Sequence, residues 1–257
     1  MRASIYASAA LALTLAVGVQ AQTVLDFESG DLDDWMVVDE APGNLGDAGP
    51  SSWEVRGSAL GLDGNALFQG SNIWGSPGDT MLMGTFLVYT GEEYIDFILE
   101  IDVAAGDNDA MGLVWAYTDT DQHYRVNIIN DGWPSPPLDG NSGPMAIMHK
   151  RISDDDPWYD LIEVAHPPDY SNYPENGERM HWTLEVSQGQ FTFTNDNADA
   201  ADPVVLEGED TDYQSGFIGI QLYAQQSEFD NVTIVSTYPV DPNGKVATSW
   251  GALREAR

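Results

Sequence analysis

The chain has 257 residues, 42 acidic and only 9 basic, for a formal charge of −33, and it has no cysteine. That charge excludes nucleic acid and anionic membrane surfaces as partners, since both carry the same sign. The missing cysteine excludes disulfides, thiolate metal sites and cysteine nucleophiles.

Residues 1–21 read as an export leader. Arg2 supplies the positive end, Ile5 to Val19 a short apolar run, and Val19-Gln20-Ala21 a small-x-small cleavage site before Gln22. The run is short for a bilayer span. The expectation is a secreted protein, extracellular or periplasmic and at the cell surface in one variant, with no membrane insertion once the leader is removed. An uncleaved N-terminal anchor is the alternative.

Residues 22–238 then predict one domain of many short strands. Tyr94 to Val103 alternates, with Ile95, Phe97, Leu99, Ile101 and Val103 on one face and Asp96, Glu100 and Asp102 on the other. Similar stretches are Met111 to Tyr117, His123 to Ile129, Met145 to Ile152, Tyr159 to Ala165 and Met180 to Val186, then Phe191 to Thr194, Phe217 to Tyr223 and Phe229 to Val235. Gly, Asn, Asp and Pro clusters separate them, and no βα alternation is present. This pattern predicts an all-β fold, a two-sheet antiparallel sandwich or barrel. Trp53, Trp115 and Trp182 are expected in its core.

Two loops exceed hairpin length. Asn130 to Pro144 is rich in Pro and Gly around Trp133, and His166 to Glu178 carries Tyr170 and Tyr173. Loops of this size are often functional, and they also serve to cover a sheet edge. Residues 239–257 form a tail, with a helix possible from Thr248 or Ser249. Its Trp250 either docks on the domain or belongs to an address or assembly signal.

The ordered set of motifs from Trp53-Glu-Val-Arg-Gly-Ser-Ala-Leu through Tyr94 to Ile129, Gly216-Phe-Ile-Gly-Ile and Glu228-Phe-Asp-Asn-Val-Thr-Ile carries a resemblance. It resembles the thrombospondin C-terminal-like domain and its bacterial relatives with a concanavalin A-like lectin jelly roll, over residues 24–235. The resemblance implies a jelly-roll β-sandwich and says less about function.

Asp107-Asn108-Asp109 offers hard oxygen ligands on one turn, which suit Ca²⁺, and the matching turn of the resembling domains is implicated in calcium binding. Such turns also arise because Asp and Asn cap their own backbone. A second calcium candidate joins Glu28, in the Asp26-Phe-Glu28 that opens the first strand, to Asp230 in the last. The resemblance to jelly-roll carbohydrate-binding modules with similar ends implies that pairing, and a hydrogen bond from Asp230 to nearby backbone is the alternative.

Trp133, Trp158, Tyr159, Tyr170 and Tyr173 lie in or beside the long loops, where aromatic faces can stack on sugar rings. Glu100-Ile-Asp102 resembles the acidic strand of laminarinase-type hydrolases, but Ala105 stands where the second catalytic Glu belongs. The four histidines show no ligand spacing. The expectation is a non-catalytic, calcium-dependent extracellular binding or adhesion module for carbohydrate or a surface protein. A carbohydrate-active enzyme of the same fold and a structural envelope subunit are the alternatives.

Overall fold

The computed structural model describes residues 22–40, 46–47, 49–75, 83–130, 139–153 and 159–237. The leader, the 239–257 tail, Trp133 and Trp158 lie outside the described residues. The strands are β1 (Gln22–Leu25), β2 (Trp35–Asp39), β3 (Trp53–Gly57), β4 (Asn65–Gln69), β5 (Thr85–Tyr94), β6 (Phe97–Ala105), β7 (Ala110–Asp119) and β8 (Gln122–Ile129). They continue with β9 (Met145–Arg151), β10 (Tyr159–Ala165), β11 (Arg179–Ser187), β12 (Gln190–Asp196), β13 (Val204–Glu209), β14 (Gly216–Tyr223) and β15 (Ser227–Ser236). A single 3₁₀ turn, Tyr170–Asn172, is the helical content of the described residues.

All pairings are antiparallel, in two sheets. One runs β13-β12-β11-β6-β15-β4-β3 with β1 added to β15; the other runs β10-β9-β8-β7-β14-β5-β2. The chain is therefore an all-β jelly-roll sandwich. Alternation decides which side chains face between the sheets: Phe97, Leu99, Ile101 and Val103 from β6 meet Met111, Leu113 and Trp115 from β7 and Ile218, Ile220 and Leu222 from β14. Trp182 is fully buried, and its indole N–H donates to Asn195 Oδ1 at 2.9 Å, so the ring contributes area without an unmet donor. Truncating such a ring costs about 3–5 kcal/mol.

Strands β7, β8 and β9 are buried on both faces, apart from the ends of β7 and β8. Of the three, only β7 reads as a nearly continuous apolar run; β8 buries His123, Arg125 and Asn127 at alternate positions, and β9 ends in the buried His149, Lys150 and Arg151. Ile95 departs from the expected face. It sits in the bend before β6 and is 44% exposed, because the strand begins at Phe97. Trp53 is only half-buried; its N–H donates to Ser51 Oγ at 3.1 Å and Thr85 Oγ1 at 3.2 Å at the rim of the core.

Two features of this frame position the candidate sites. β15 is flanked by β4 along Ser227–Phe229 and by β1 along Val232–Val235, with a register shift between Asp230 and Thr233. Asn231 takes a φ of 53° there, so this bulge opens a gap in the sheet beside Asp230. The turn 106–109, the described ends of the 130–144 loop and the 166–178 loop gather at one end of the sandwich, and the turns 95–96, 188–189 and 210–215 gather at the other.

Candidate functional site

The gap in β15 collects acid. Asp230 is 3% exposed and its Oδ1 has no hydrogen-bond partner. Burial pushes its carboxyl up to about 6, and the charges of Glu28, Asp102 and Asp26 push in the same direction. Glu28 follows β1 into the gap, where its Oε1 accepts from Asn65 N at 2.9 Å. A Cβ on Gly64 would fall 2.1 Å from that oxygen, so only glycine lets Glu28 lie there. Asp102 is opposite Asp230 in register, and it accepts from Asn231 Nδ2 at 2.8 Å and lies 2.7 Å from His181 Nδ1. The fold thus brings the predicted pair Glu28 and Asp230 into one electrostatic neighbourhood.

That neighbourhood is not a closed metal cage. Among the described residues, no three His, Asp or Glu side chains form a metal-binding group. The chemistry of the donors still fits a hard cation, because Asp230 keeps an unpartnered buried carboxylate oxygen. Calcium takes 6–8 oxygens, so backbone carbonyls and water would complete the shell.

The other predicted metal turn is organised from within. Asp109 N donates to Gln225 Oε1 at 2.8 Å, and Gln225 Nε2 donates to the Asp107 carbonyl at 2.8 Å. Asn108 N donates to Asp107 Oδ1 at 2.9 Å. A fully buried amide from the β14–β15 connection therefore pins this turn.

The described ends of the 130–144 loop meet the 166–178 loop beside it. Asn130 Nδ2 donates to Pro174 O at 2.9 Å and to Glu175 Oε1 at 2.7 Å, while His166 Nδ1 lies 3.0 Å from Pro144 O. Tyr173 is buried and donates its hydroxyl to Pro167 O at 2.7 Å, so as placed it is a pillar of its own loop. Its neighbour Tyr170 is 64% exposed and is the accessible ring of the pair. Tyr159 starts β10 and packs edge-on against His149 with centroids 5.9 Å apart.

Sequence reasoning missed a buried polar centre on the outer face of the seven-stranded sheet. Arg125 forms an ion pair with Glu40 and donates through Nε to His123 Nε2 at 2.7 Å. The His123 Nδ1–H then faces the Asp119 carbonyl at 3.0 Å, which fixes the neutral tautomer. His149 lies opposite Arg125 in register, fully buried, with neither ring nitrogen hydrogen-bonded. Burial, reinforced by Arg125, lowers both imidazoles well below their ordinary value. The signal was the row His123, Arg125, Asn127 at every second residue of β8; its meaning depends on the cross-strand register with β9.

No family model matches the chain, and no curated protein matches it. Among solved structures, the carbohydrate-binding module CBM66 from Bacillus subtilis is similar over 79% of this chain and 96% of its own, at 16% identity and a TM-score of 0.51. A Bacillus subtilis protein of unknown function with a galectin-like fold is similar over 85% of this chain and 98% of its own, at 11% identity and a TM-score of 0.52. At such identities the likeness shows the fold, a lectin-like jelly-roll β-sandwich.

Proposed function

We propose that this protein is a non-catalytic, exported binding module whose ligand is carbohydrate and whose frame is supported by calcium at the Asp230–Glu28 junction. The observation that carries the reading is Asp230: buried, one oxygen unpartnered, and surrounded by Glu28, Asp26 and Asp102. Clustered carboxylates cost free energy unless a cation lies between them, and the only basic side chain hydrogen-bonded within the described cluster is His181, on Asp102. The resemblance to calcium-supported jelly-roll domains agrees with this assignment, and the fold shared with CBM66 supports carbohydrate as the ligand class. Tyr170 and the joined loops at one end of the sandwich offer a contact surface. A hydrolase on this fold fits less well: Glu100 is exposed, Asp102 is engaged by His181 and Asn231, and Ala105 is buried in the third position.

Binding to immobilised neutral and acidic polysaccharides, in calcium and in chelator, tests the reading together with thermal unfolding. Millimolar Ca²⁺ acting on a site with Kd of order 10⁻⁴–10⁻³ M stabilises by about 1 kcal/mol, or a few degrees. Equal Mg²⁺ does less. Asp230→Asn removes the gain and raises the melting temperature in chelator. If Mg²⁺ or concentrated NaCl matches Ca²⁺ and Asp230→Asn retains the gain, the calcium reading fails. Release of sugar from a polysaccharide would assign the chain to the enzymes instead, and recovery in a stoichiometric envelope complex would make it a structural subunit.

A further inference from the structure

On the outer face of the eight-stranded sheet, neighbouring strands set Asp102 from β6, His181 from β11 and Asp196 from β12 side by side in register. They are the outward members of strands whose next residues, Ile101, Trp182 and Asn195, are buried. The row floors an open cavity of about 400 Å³ walled by the 61–63 and 196–199 turns. That volume is within the range of small-molecule sites. Its polar groups are reachable from solvent. The His181 side chain is 46% exposed and that of Asp102 36%, while Asp63, Arg179, Asp196 and Asp199 are exposed.

Both walls and the floor are held in place. Ser58 Oγ accepts from Gly61 N at 3.2 Å and Leu62 N at 2.9 Å and donates to the buried Glu228, which fastens the first wall to β15. The buried Asn197 donates through Nδ2 to Ser171 O and to Glu178 Oε2 at 2.8 Å, and its Oδ1 accepts from Asp199 N at 2.9 Å. The second wall is thus fastened to the 166–178 loop. On the floor, Asp102 accepts from Asn231 Nδ2 at 2.8 Å through one oxygen and from His181 Nδ1 at 2.7 Å through the other. A carboxylate only accepts, so Nδ1 carries the proton, and Nε2 of the neutral ring is an acceptor.

Arg179 supplies the opposite chemistry. Among the described residues it is the one exposed Lys or Arg, and it forms no ion pair in a chain with 42 acidic side chains. Its Nη1 donates to Gly61 O at 3.2 Å, which fixes the guanidinium at the wall and leaves its other N–H groups for a ligand. The balance of groups narrows that ligand. Acceptors, namely His181 Nε2 and the carboxylates of Asp63, Asp196 and Asp199, outnumber the single guanidinium donor. A carboxylate or phosphate has no hydrogen to give them and meets like charge. A simple cation meets the guanidinium. No Phe, Tyr or Trp lines the cavity, so a flat apolar ring has no platform. A neutral ring bearing several hydroxyls satisfies both kinds of group, accepting from Arg179 and donating to the carboxylates and Nε2.

We infer that this cavity takes one neutral sugar residue of the ligand by its hydroxyl edge, through hydrogen bonds and without ring stacking. The inference rests on the carbohydrate reading above and adds the location and the mode of contact.

The test uses the full chain, with the methyl glycosides of glucose, galactose and mannose, methyl glucuronide and putrescine as probes. The His181 ring resonances, assigned by their loss in His181→Asn, shift saturably with at least one neutral glycoside. Arg179→Ala and Asp196→Ala each weaken that glycoside about fivefold. Both positions are exposed, so melting stays within about two degrees of wild type. The sign at Arg179 separates ligand classes, since losing this charge weakens a bound hydroxyl and strengthens a bound cation. Putrescine that moves the His181 ring where no glycoside does, binds Arg179→Ala more tightly and is released by concentrated NaCl shows a plain acidic face and overturns the site. Methyl glucuronide bound in preference to the neutral glycosides overturns the neutral class. A glycoside that binds wild type and both variants equally, with the His181 ring unmoved, overturns the location and leaves the carbohydrate reading standing. Failure of every glycoside also overturns the cavity assignment, while the polysaccharide panel still decides the broader reading.

Discussion

Glu228 offers the sharpest check of how this sandwich is held together. It is fully buried at the start of β15, yet its carboxylate is held below the usual carboxylate range. Burial opposes that shift, and hydrogen bonds from Ser58, Ala59, Leu60 and Arg56 more than offset it. Ser58 Oγ donates at 2.6 Å, Ala59 N at 2.9 and 3.1 Å to the two oxygens, Leu60 N at 2.9 Å and Arg56 Nη2 at 3.2 Å. Arg56 is itself fixed over the Phe68 ring, 3.3 Å from its centroid. Glu228 thus ties the turn after β3 to the last strand.

In Glu228→Gln the shape is kept but one acceptor oxygen becomes a donor. The best orientation places the amide oxygen where Oε2 was, keeping Ser58 and Leu60. The NH₂ then faces the Arg56 guanidinium, two donors against each other. Losing that charged bond and weakening the others costs about 2–4 kcal/mol, or about 5–15 °C for a domain of this size. The difference should depend on pH with a definite sign. Because the folded carboxyl lies below its unfolded value of 4.5, its contribution is complete above that value and is lost as the pH falls through the folded value. Thermal unfolding of both proteins at pH 7 and at pH 3 reads this directly. Melting of Glu228→Gln within a degree or two of wild type at pH 7 would refute the reasoning.

The polar centre around Arg125 predicts sensitivity to mild acid. His123 and His149 are neutral in the fold with depressed values, so each stabilises fully above an unfolded value near 6.5 and loses about 1.4 kcal/mol per pH unit below it. Asp230, pushed up to about 6, works in the opposite sense, since its cost is relieved as it takes a proton. His149→Leu should flatten the fall in melting temperature between pH 6.5 and 5, and an unchanged slope would show that this imidazole is not held neutral. Mass analysis of protein from the native cell should show a chain beginning at Gln22; a full-length chain retained in membranes would defeat the export reading.

The sequence showed its sheets most clearly where only one face of a strand is buried, although β7, β8 and β9, buried on both faces, were also readable between their flanking turn signals. β11 and β12 alternate because their outer faces meet solvent, and their periodicity was readable. β5 was not resolved as a strand: Thr85-Phe-Leu-Val-Tyr is buried on both sides, so no period of two survives. β13 was missed for another reason, since Val204 and Leu206 are its only buried positions in a short acidic stretch.

Sites obey a different logic, because they are made by register. Asp230 and Glu28 could be paired through the resemblance, but the bulge that opens β15 beside them has no signature beyond Asn231, a residue type that tolerates positive φ. Glu228 is hidden more completely, since its donors lie 168–172 residues away and three of the five bonds come from backbone N–H groups. His149 looked isolated because its partner in register, Arg125, is on another strand. The cavity around Arg179 and His181 draws on four strands and two turns, none with a motif. In a sandwich of antiparallel strands, chemistry is assembled across the hydrogen-bond ladder rather than along the chain. The most informative residues are therefore polar ones on the buried face of a strand, which a one-dimensional reading assigns to the core or to solvent.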